Sequence, residues 1–369
     1  MKKKLLALVC ALVMIFSLAS CGLSTPDTVG KVGDFEVSSG LYLLAQFSAY
    51  QQAAQLADKD QDATDVKAFL KETITTDADS GETAVVQDYV ADKTLETLRT
   101  FAAIDARFAE LGGELTAEQT QVADNYAQQL MDQYGSTYTA NGIGLETLKA
   151  FERIQLKHTL LLTLVYGPDG ESPVDDSDLT EHLDSQMYEL AYVNIPLYNT
   201  STFVSASDDQ KAQMLQLAQA AAASCSETQD GSVSEQVSAL HSAASAALPD
   251  IYAVLDSTPA EDASNVQTEL LTESDLTGAF TQDGAADAVR GLVYGEAAAV
   301  QYSSYALMML VRLDPLDADT LDSLHAQALS DMKSGELQDS IQSYGAQLSH
   351  ALDSAAMKKM PASKIKNEQ

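Results

Sequence analysis

Basic residues are scarce in this sequence. Its 369 residues include 21 Lys and Arg against 54 Asp and Glu, which gives a formal net charge of −33 at pH 7. Nucleic acid binding uses Lys and Arg to replace the counterions of the phosphates, so this balance argues against a nucleic acid partner. It also opposes electrostatic adhesion to anionic lipid. Such acidity favours solubility through self-repulsion, with attraction of basic clients or cations as the alternative.

Cysteine is also scarce, and its placement excludes two kinds of site. The three cysteines are Cys10, Cys21 and Cys225. If Cys10 leaves with an amino-terminal export signal and Cys21 carries lipid, Cys225 is the one cysteine left with a free thiol. An internal disulfide and a cysteine-based metal site are therefore excluded. Cys225 is predicted to be a tolerated free thiol.

Motifs of hydrolases, nucleotide enzymes and metal centres are missing. The sequence has no Gly-x-Ser-x-Gly, no phosphate-binding glycine loop and no His-Glu-x-x-His, and we predict no cofactor and no metal. The stretch 58–62 begins like an EF-hand calcium loop. However, Ala63 replaces the turn glycine and Phe69 replaces the bidentate Glu, which favours a solvated acidic loop. His158 is predicted to be a packed core residue, and His182 and His325 to be surface residues.

The amino terminus has the pattern of an export signal. A basic start, residues 1–4, precedes an apolar stretch, residues 5–18, that is too short to span a membrane. The ending Leu-Ala-Ser-Cys resembles a bacterial lipobox. That resemblance implies that Cys21 becomes the first mature residue, carries lipid and holds the chain at the outer face of the cytoplasmic membrane. The alternative is an ordinary secretory signal cut nearby. Loss of residues 1–20 would remove three lysines and leave a net charge of −36.

Helical patterns fill the chain between the signal and residue 187. Apolar residues recur at three- and four-residue steps in successive segments, and capping patterns such as Thr116-Ala117-Glu118-Gln119 start them. Two short extended pieces surround Gly33-Asp34, and Ser38 or Ser39 can cap the helix that follows. A further helix is predicted on the apolar stripe of Val122, Tyr126, Leu130 and Tyr134.

The pattern changes to strands near residue 190. The apolar run 190–195, closed by Pro196, is typical of a buried strand. The best partner for this strand is the run 305–313, more than a hundred residues later. One sheet-containing domain is therefore predicted to lie between these runs, with helical sequence before and after it.

These features together resemble the SurA/PrsA-type extracytoplasmic folding factors. Residues 29–34, Val-Gly-Lys-Val-Gly-Asp, are similar to the opening hairpin of that family but lack its usual Asn. Residues 109–116 are similar to the end of its long helix. Gly295-Glu296 and the strands after it are similar to the end of the family's parvulin-type prolyl isomerase domain. The resemblance implies a mostly helical α+β fold, with a helical lobe built from both chain ends and an inserted parvulin-like α/β domain.

The resemblance also implies an order of segments. They are a signal peptide at 1–20, a tether at 21–28, an amino-terminal helical chaperone lobe at 29–187, a degenerate parvulin-like domain at 188–315 with a long insertion at 205–269, a helix at 316–352 that returns to the lobe, and a basic tail at 353–369. We expect the tail to be a frayed, solvated end, with binding to an anionic wall or headgroup polymer as the alternative.

The catalytic residues of the family are absent at the matching positions. The two histidines of a parvulin site fall on Tyr192 and Met308, and a slip of one residue gives Val193 and Met309 instead. His241 is the single histidine between residues 190 and 314. Rotation about a peptide bond has a barrier of about 18–20 kcal/mol, and lowering it requires a site that fits the twisted amide. We expect these substitutions to leave binding without much isomerisation.

The predicted function is that of a lipid-anchored extracytoplasmic chaperone that holds unfolded, newly exported polypeptides. Two alternatives remain: a working prolyl isomerase whose site tolerates the substitutions, and a ligand-binding or scaffolding lipoprotein that holds no clients.

Overall fold

The computed structural model describes residues 26–317 and 320–367. The predicted signal peptide and the predicted lipid site, Cys21, lie outside the described residues. Among the described residues, no helix combines the length and apolarity needed to span a membrane.

The chain divides into two compact units. Of the described residues, the first unit comprises 26–172 and 335–367, and the second comprises 173–317 and 320–334. Both chain ends therefore contribute to the first unit. The predicted range 188–315 lies inside the second. The fold is a mostly helical α+β fold, as predicted.

In chain order, the described residues form alternating groups of helices and strands. They are β1 (Thr28–Val32), β2 (Phe35–Ser38), α1 (Ser39–Gln55), α2 (Val66–Phe69), β3 (Thr73–Asp77), β4 (Glu82–Val85), α3 (Val86–Glu110), α4 (Ala117–Ala140), α5 (Leu145–Tyr166), α6 (Asp176–Gln186), β5 (Met187–Pro196), α7 (Asp208–Ala223), α8 (Val233–Ala253), β6 (Gln267–Thr272), α9 (Glu273–Ala279), α10 (Ala285–Arg290), β7 (Ala297–Gln301), β8 (Ala306–Arg312), α11 (Leu321–Gln347), β9 (His350–Leu352) and α12 (Ser354–Met357). Two short 3-10 turns cover Ser224–Thr228 and Ala362–Lys364.

In the first unit, local sequence signals determine where helices begin. Ser38 caps α1 by accepting a hydrogen bond from the backbone of Leu41, and Thr116 forms a capping box with Gln119 at the start of α4. Both starts were predicted. The core between α1, α2, α3 and α5 contains fully buried large side chains such as Tyr50.

The helix predicted on this apolar stripe is present as α4, but most of the stripe is not its buried face. Val122, Tyr126 and Tyr134 are exposed, and the helix buries Ala123 and Ala127 instead. Small side chains let α4 approach α5 closely, so the alanine face packs and the larger residues stay outside.

The carboxyl-terminal tail is folded, so the predicted frayed end is wrong. Strand β9 pairs with β1 in antiparallel fashion, and α12 follows it. Met360 and Ile365 are buried. The side chain of Asn141 binds both the backbone N–H and the carbonyl of Lys366, at 2.8 and 3.0 Å. These contacts fix the last described residues onto the first unit.

The second unit is organised around a four-stranded antiparallel sheet in the order β6-β5-β8-β7. The predicted partnership is confirmed, because β5 pairs with β8 from Leu190↔Arg312 to Pro196↔Ala306. Helices α7 and α8 cover one face of the sheet, and α9 and α10 pack against the other. The predicted insertion at 205–269 contains helices α7 and α8, whereas the edge strand β6 was not predicted.

Candidate functional site

The structure brings the two positions that match the family histidines onto one face of the sheet. Tyr192 on β5 lies opposite Leu310, and Met308 on β8 lies opposite Asn194 on one side and Val300 on the other. Residues two apart on a strand point to the same face, so Tyr192 and Met308 are diagonal neighbours. Both belong to the apolar cluster beneath α9 and α10.

The chemistry available at this position is limited to one phenol. Tyr192 is half-buried, and its hydroxyl donates a hydrogen bond to Glu269 on β6 over 3.1 Å. Burial, followed by the hydrogen bond with Glu269, raises the pKa of Tyr192. Met308 is buried, and its thioether carries no proton to exchange. The pair can therefore contact an apolar peptide, and the phenol oxygen, whose proton is bonded to Glu269, can accept a hydrogen bond, but the pair offers no imidazole.

His241 lies on a different element from this site. It is on α8, which packs on the opposite face of the sheet, and its Nδ1 is 2.8 Å from the carbonyl oxygen of Ser264. His182, which was predicted to be a surface residue, is half-buried and lies 2.7 Å from Asp331. His325 is also half-buried, so both histidines are partly enclosed at the surface. Neither lies on the strands that carry Tyr192 and Met308.

The two metal-like features of the sequence have structural roles. Phe69, at the last position of the calcium-like stretch, is fully buried in the core of the first unit. Asp62 accepts hydrogen bonds from Thr64 instead of pointing into a shared loop centre. Among the described residues no group of three acidic, His or Cys side chains has a metal-binding arrangement. Burial lowers the pKa of His158, whose Nε2 is enclosed.

Glu189 is a buried acid that the sequence patterns did not indicate. It lies on β5 between Tyr188 and Leu190 and is only 5% exposed. Burial, with smaller contributions from Asp317 and Asp314, raises the pKa of Glu189 to about 7. The one sequence feature that could have indicated a buried acid is the presence of this carboxylate in an otherwise mostly apolar strand. Alternation turns it to the face opposite Tyr192, so it is not part of that site.

Apolar side chains are exposed where β5 ends and β8 begins. We call Tyr198, Phe203, Val204 and Tyr305 the aromatic tip; Phe203 is 77% exposed, Tyr305 67% and Val204 65%. Phe203 has a φ of 57°, which is uncommon for an aromatic residue, and its ring stacks on Tyr198 with the centroids 6.2 Å apart. The backbone of Leu197 binds the carbonyl of Tyr305 at 2.7 Å, which places the two exposed segments side by side.

Hydrogen bonds of Asn199 hold the aromatic tip in this conformation. Its side-chain oxygen accepts from the backbone of Ser201 and Thr202 at 3.0 and 2.9 Å. Its amide donates to the carbonyl of Leu255 at 2.8 Å. These hydrogen bonds define the backbone conformation of the loop, which exposes its apolar side chains to solvent.

The first unit contains an apolar cavity of about 660 Å³. Helices α1 and α3 form its walls together with the carboxyl-terminal segment. Its apolar lining includes Leu70, Val90, Leu95, Leu98 and Met357. Inside it, Gln46 donates a hydrogen bond to the hydroxyl of Tyr42 at 3.1 Å. Its lining also carries polar and charged side chains, among them Gln87, Asp92 and Lys358. Cavities of this size that combine apolar walls with polar groups are typical of small-molecule sites.

Three solved structures similar to this one are PrsA proteins, and two of them are described as foldases. The PrsA foldase of Streptococcus pneumoniae has a TM-score of 0.38 and 15% identity, over 73% of this chain and 91% of that one. The PrsA foldase of Lactococcus lactis has a TM-score of 0.34 and 12% identity, over 91% and 98%. PrsA of Bacillus subtilis has a TM-score of 0.32 and 12% identity, over 75% and 93%.

The similarity is to the family that the sequence motifs indicated. No family model and no curated protein matches the chain. Identities of 12 to 15% transfer no residue role to this chain.

Proposed function

We propose that this protein is a lipid-anchored, chaperone-like protein at the outer face of the bacterial cytoplasmic membrane. It holds unfolded exported polypeptides reversibly and has little or no prolyl isomerase activity. The aromatic tip is the observation that carries the proposal. Exposed clusters of large apolar side chains favour aggregation unless they serve binding, and here the backbone is fixed to present them.

The chemistry of the tip fits an unfolded chain better than a folded partner. Phe203 and Tyr305 offer ring faces, and Val204 adds an aliphatic surface. Apolar contacts of this kind are not directional, so they accept many sequences. The strongly acidic chain keeps the complex soluble through self-repulsion while such contacts form.

The face that carries Tyr192 and Met308 supports the proposed lack of isomerase activity. Tyr192 donates a hydrogen bond to an exposed carboxylate, and Met308 is a buried thioether. Neither group can replace a hydrogen-bonded pair of imidazoles around a twisted amide. A bound prolyl peptide would therefore be held without much stabilisation of the transition state.

Suppression of aggregation tests the holding function. The mature chain is added at increasing ratios to a chemically denatured test protein, and light scattering is followed after dilution. Each buried apolar side chain contributes about 1.5–3 kcal/mol, so we expect Phe203→Ser/Val204→Ser/Tyr305→Ser to need at least about tenfold more chaperone for the same protection.

The exposed residues of α4 supply a matched control. Val122→Ser/Tyr126→Ser/Tyr134→Ser also removes three exposed apolar side chains, but from the first unit. We expect this variant to protect as well as the unaltered chain. If the unaltered chain gives no protection at several-fold excess, the holding function is wrong. If both variants lose the same amount of protection against aggregation, the aromatic tip is not the surface that contacts clients.

A protease-coupled peptide assay tests the isomerase part of the proposal. We expect no acceleration of prolyl cis-trans conversion at micromolar protein. Acceleration that disappears in Tyr192→Phe would establish the alternative of a working isomerase and remove this part of the proposal.

Membrane attachment is tested through Cys21. The full chain is expressed in a bacterium, and the mass and membrane fractionation of the mature product are compared with those of Cys21→Ser. We expect the unaltered product to carry an acyl modification on Cys21, and the variant to leave the membrane fraction. An unmodified mature product beginning at another residue would contradict the anchor.

The apolar cavity of the first unit favours a second candidate, a ligand-binding lipoprotein. Native mass spectrometry of protein purified without detergent is the direct test. A bound small molecule that is lost in Leu98→Phe, a change that places a larger side chain in the cavity wall, would support this candidate. A mass equal to that of the chain alone would leave the chaperone proposal in place.

A further inference from the structure

A cleft in the first unit has the opposite charge to the rest of the molecule. It measures about 740 Å³ and lies between the carboxyl-terminal segment, α1, α2 and the end of α4. Its lining includes Lys67, Lys359, Lys364 and Lys366, and none of the described residues that line it is Asp or Glu. The chain as a whole has 54 acidic and 21 basic residues, so the excess of basic residues in this lining is opposite to the excess of acidic residues in the whole sequence. We call these four residues the lysine cleft.

The four ammonium groups are not used in ion pairs among the described residues. Elsewhere several lysines are paired: Lys93 lies 2.7 Å from Glu96, and Lys149 lies 2.8 Å from Glu146. In the cleft, Lys364 donates to the backbone carbonyl of Lys359 at 3.0 Å. The positive charge of the cleft is thus available to an anion. Glu368 follows outside the described residues.

The wall that carries three of these lysines is fixed by contacts that do not use their charge. Asn141 binds the backbone of Lys366 through two hydrogen bonds. Asn367 donates to the carbonyl of Ala63 and accepts from Gln51, both at 3.0 Å. The buried side chain of Ile365 anchors the segment between them. The cleft is therefore held in place before any ligand binds, which lowers the entropic cost of binding.

Like charges gathered on one wall repel each other, so folding alone does not favour this arrangement. An anion in the cleft would relieve the repulsion. The excess negative charge elsewhere does not prevent this, because at physiological ionic strength exposed charges more than about 8 Å apart are largely screened. The local charge of the cleft therefore decides what binds there. Lysine binds phosphate as a compact point charge.

The position of the cleft indicates which phosphates are near. The backbone N–H of Ser39, at the start of α1, binds the carbonyl of Asp27 at 3.1 Å. Leu43 and Gln46, which line the cleft, lie one to two turns further along that helix. The proposed lipid site, Cys21, precedes strand β1 at Thr28 by a segment that can extend over about 25 Å at most. A lipid on Cys21 would therefore keep the cleft close to the headgroup layer.

We infer that the lysine cleft binds the phosphate groups of anionic membrane lipid and orients the first unit on the membrane surface. This inference rests on the proposed membrane location, and it does not depend on the holding of clients. It goes beyond anchoring, because an acyl chain tethers the molecule without fixing which face meets the bilayer.

The test is binding to vesicles by flotation. The protein is the mature chain, residues 21–369, with Cys21→Ser so that no acyl chain contributes. Vesicles of phosphatidylglycerol and phosphatidylcholine are compared with vesicles of phosphatidylcholine alone. We expect binding to the anionic vesicles only, and weaker binding as salt rises from about 50 to about 300 mM.

The matched variants carry the same change in net charge. We expect Lys67→Gln/Lys359→Gln/Lys364→Gln/Lys366→Gln to weaken binding to anionic vesicles by about 100-fold or more, because one lysine near such a surface contributes about fivefold. Lys31→Gln/Lys93→Gln/Lys149→Gln/Lys211→Gln removes four lysines outside the cleft and should weaken binding by less than about tenfold. Circular dichroism checks that both variants are folded.

Three outcomes would overturn the inference. They are an equal loss in the two variants, binding to vesicles without anionic lipid, and binding to soluble poly(glycerol phosphate) with none to vesicles, which would assign the cleft to a free phosphate polymer. The cleft variant should still suppress aggregation. Failure of the unaltered chain in the aggregation assay would therefore refute the proposed function and leave the vesicle result intact.

Discussion

Glu189→Gln should remove a pH dependence that a single buried carboxyl gives to this protein. Glu189 is almost fully enclosed, and its Oε2 has no hydrogen-bond partner among the described residues. Asp317 and Asp314 add repulsion, and together with burial they raise its pKa from 4.5 to about 7. Glutamine has nearly the same size but is neutral at every pH, so the substitution removes the titration and little else.

The sign of the effect follows from the direction of the pKa shift. Between about pH 4.5 and pH 7 the folded chain keeps the proton on Glu189 while the unfolded chain has lost it. The free energy of unfolding therefore falls as pH rises through this window, and the loss is complete above about pH 7. A shift of this size corresponds to about 3 kcal/mol, and screening by nearby water reduces our expectation to about 2 kcal/mol.

Urea unfolding followed by circular dichroism at pH 5 and pH 8 measures this difference. We expect Glu189→Gln and the unaltered chain to unfold at similar urea concentrations at pH 5. At pH 8 the variant should be more stable by about 2 kcal/mol, a midpoint shift on the order of 1 M. Glu261→Gln, at an exposed position, is the control and should leave the pH dependence unchanged. Equal pH dependence in Glu189→Gln and the unaltered chain would refute the reasoning.

Three further predictions concern packing and the tail. Asn141→Ala removes both side-chain bonds to Lys366, so we expect a loss of about 1–3 kcal/mol in urea unfolding and faster proteolysis after residue 350; an unchanged cleavage rate would contradict the docking of the tail. Met309→Ala empties a fully buried position and should cost about 2–5 kcal/mol, whereas Tyr305→Ala, at an exposed position, should cost much less. Burial raises the pKa of the Cys225 thiol, so a thiol reagent should label Cys225 slowly in the native protein and fully in urea; fast native labelling would show that the thiol is accessible.

The sequence predicted the fold best where it contains a long run of apolar residues. The run of apolar residues around Val193 and the run around Met309 were each long enough to indicate a buried strand, and the two residues pair directly. Alternation along paired strands then places Tyr192 and Met308 on one face. This part of the candidate site was predictable because the apolar patterns of β5 and β8 determine how the two strands pair. Its hydrogen-bond partner, Glu269, was not predictable, because it lies on an edge strand.

Edge strands and docked tails were missed for a common physical reason. Strand β6, Gln267–Thr272, buries only Leu271, so its sequence has no apolar alternation. Strand β9 has three residues, and the tail after it is rich in lysine and short in apolar residues. Such segments are held by backbone pairing and by a few specific side chains such as Asn141. Those contacts come from distant parts of the chain, and no local pattern indicates them.

Gly30 connects the opening motif of the chain with its carboxyl-terminal end. Its φ is 116°, a conformation that favours glycine, and a methyl group at this position would overlap the carbonyl oxygen of Ala351 on β9. Lys31 pairs with Ala351, and Gly30 pairs with Leu352. Glycine is therefore needed at position 30, because the paired strand β9 lies so close to this part of β1. The opening hairpin has the pattern of a local motif, yet its first strand pairs with residues more than 300 positions away. The same pairing directs the basic tail towards α1. The position of the three tail lysines in the lysine cleft thus depends on the backbone conformation of Gly30, near the other end of the sequence.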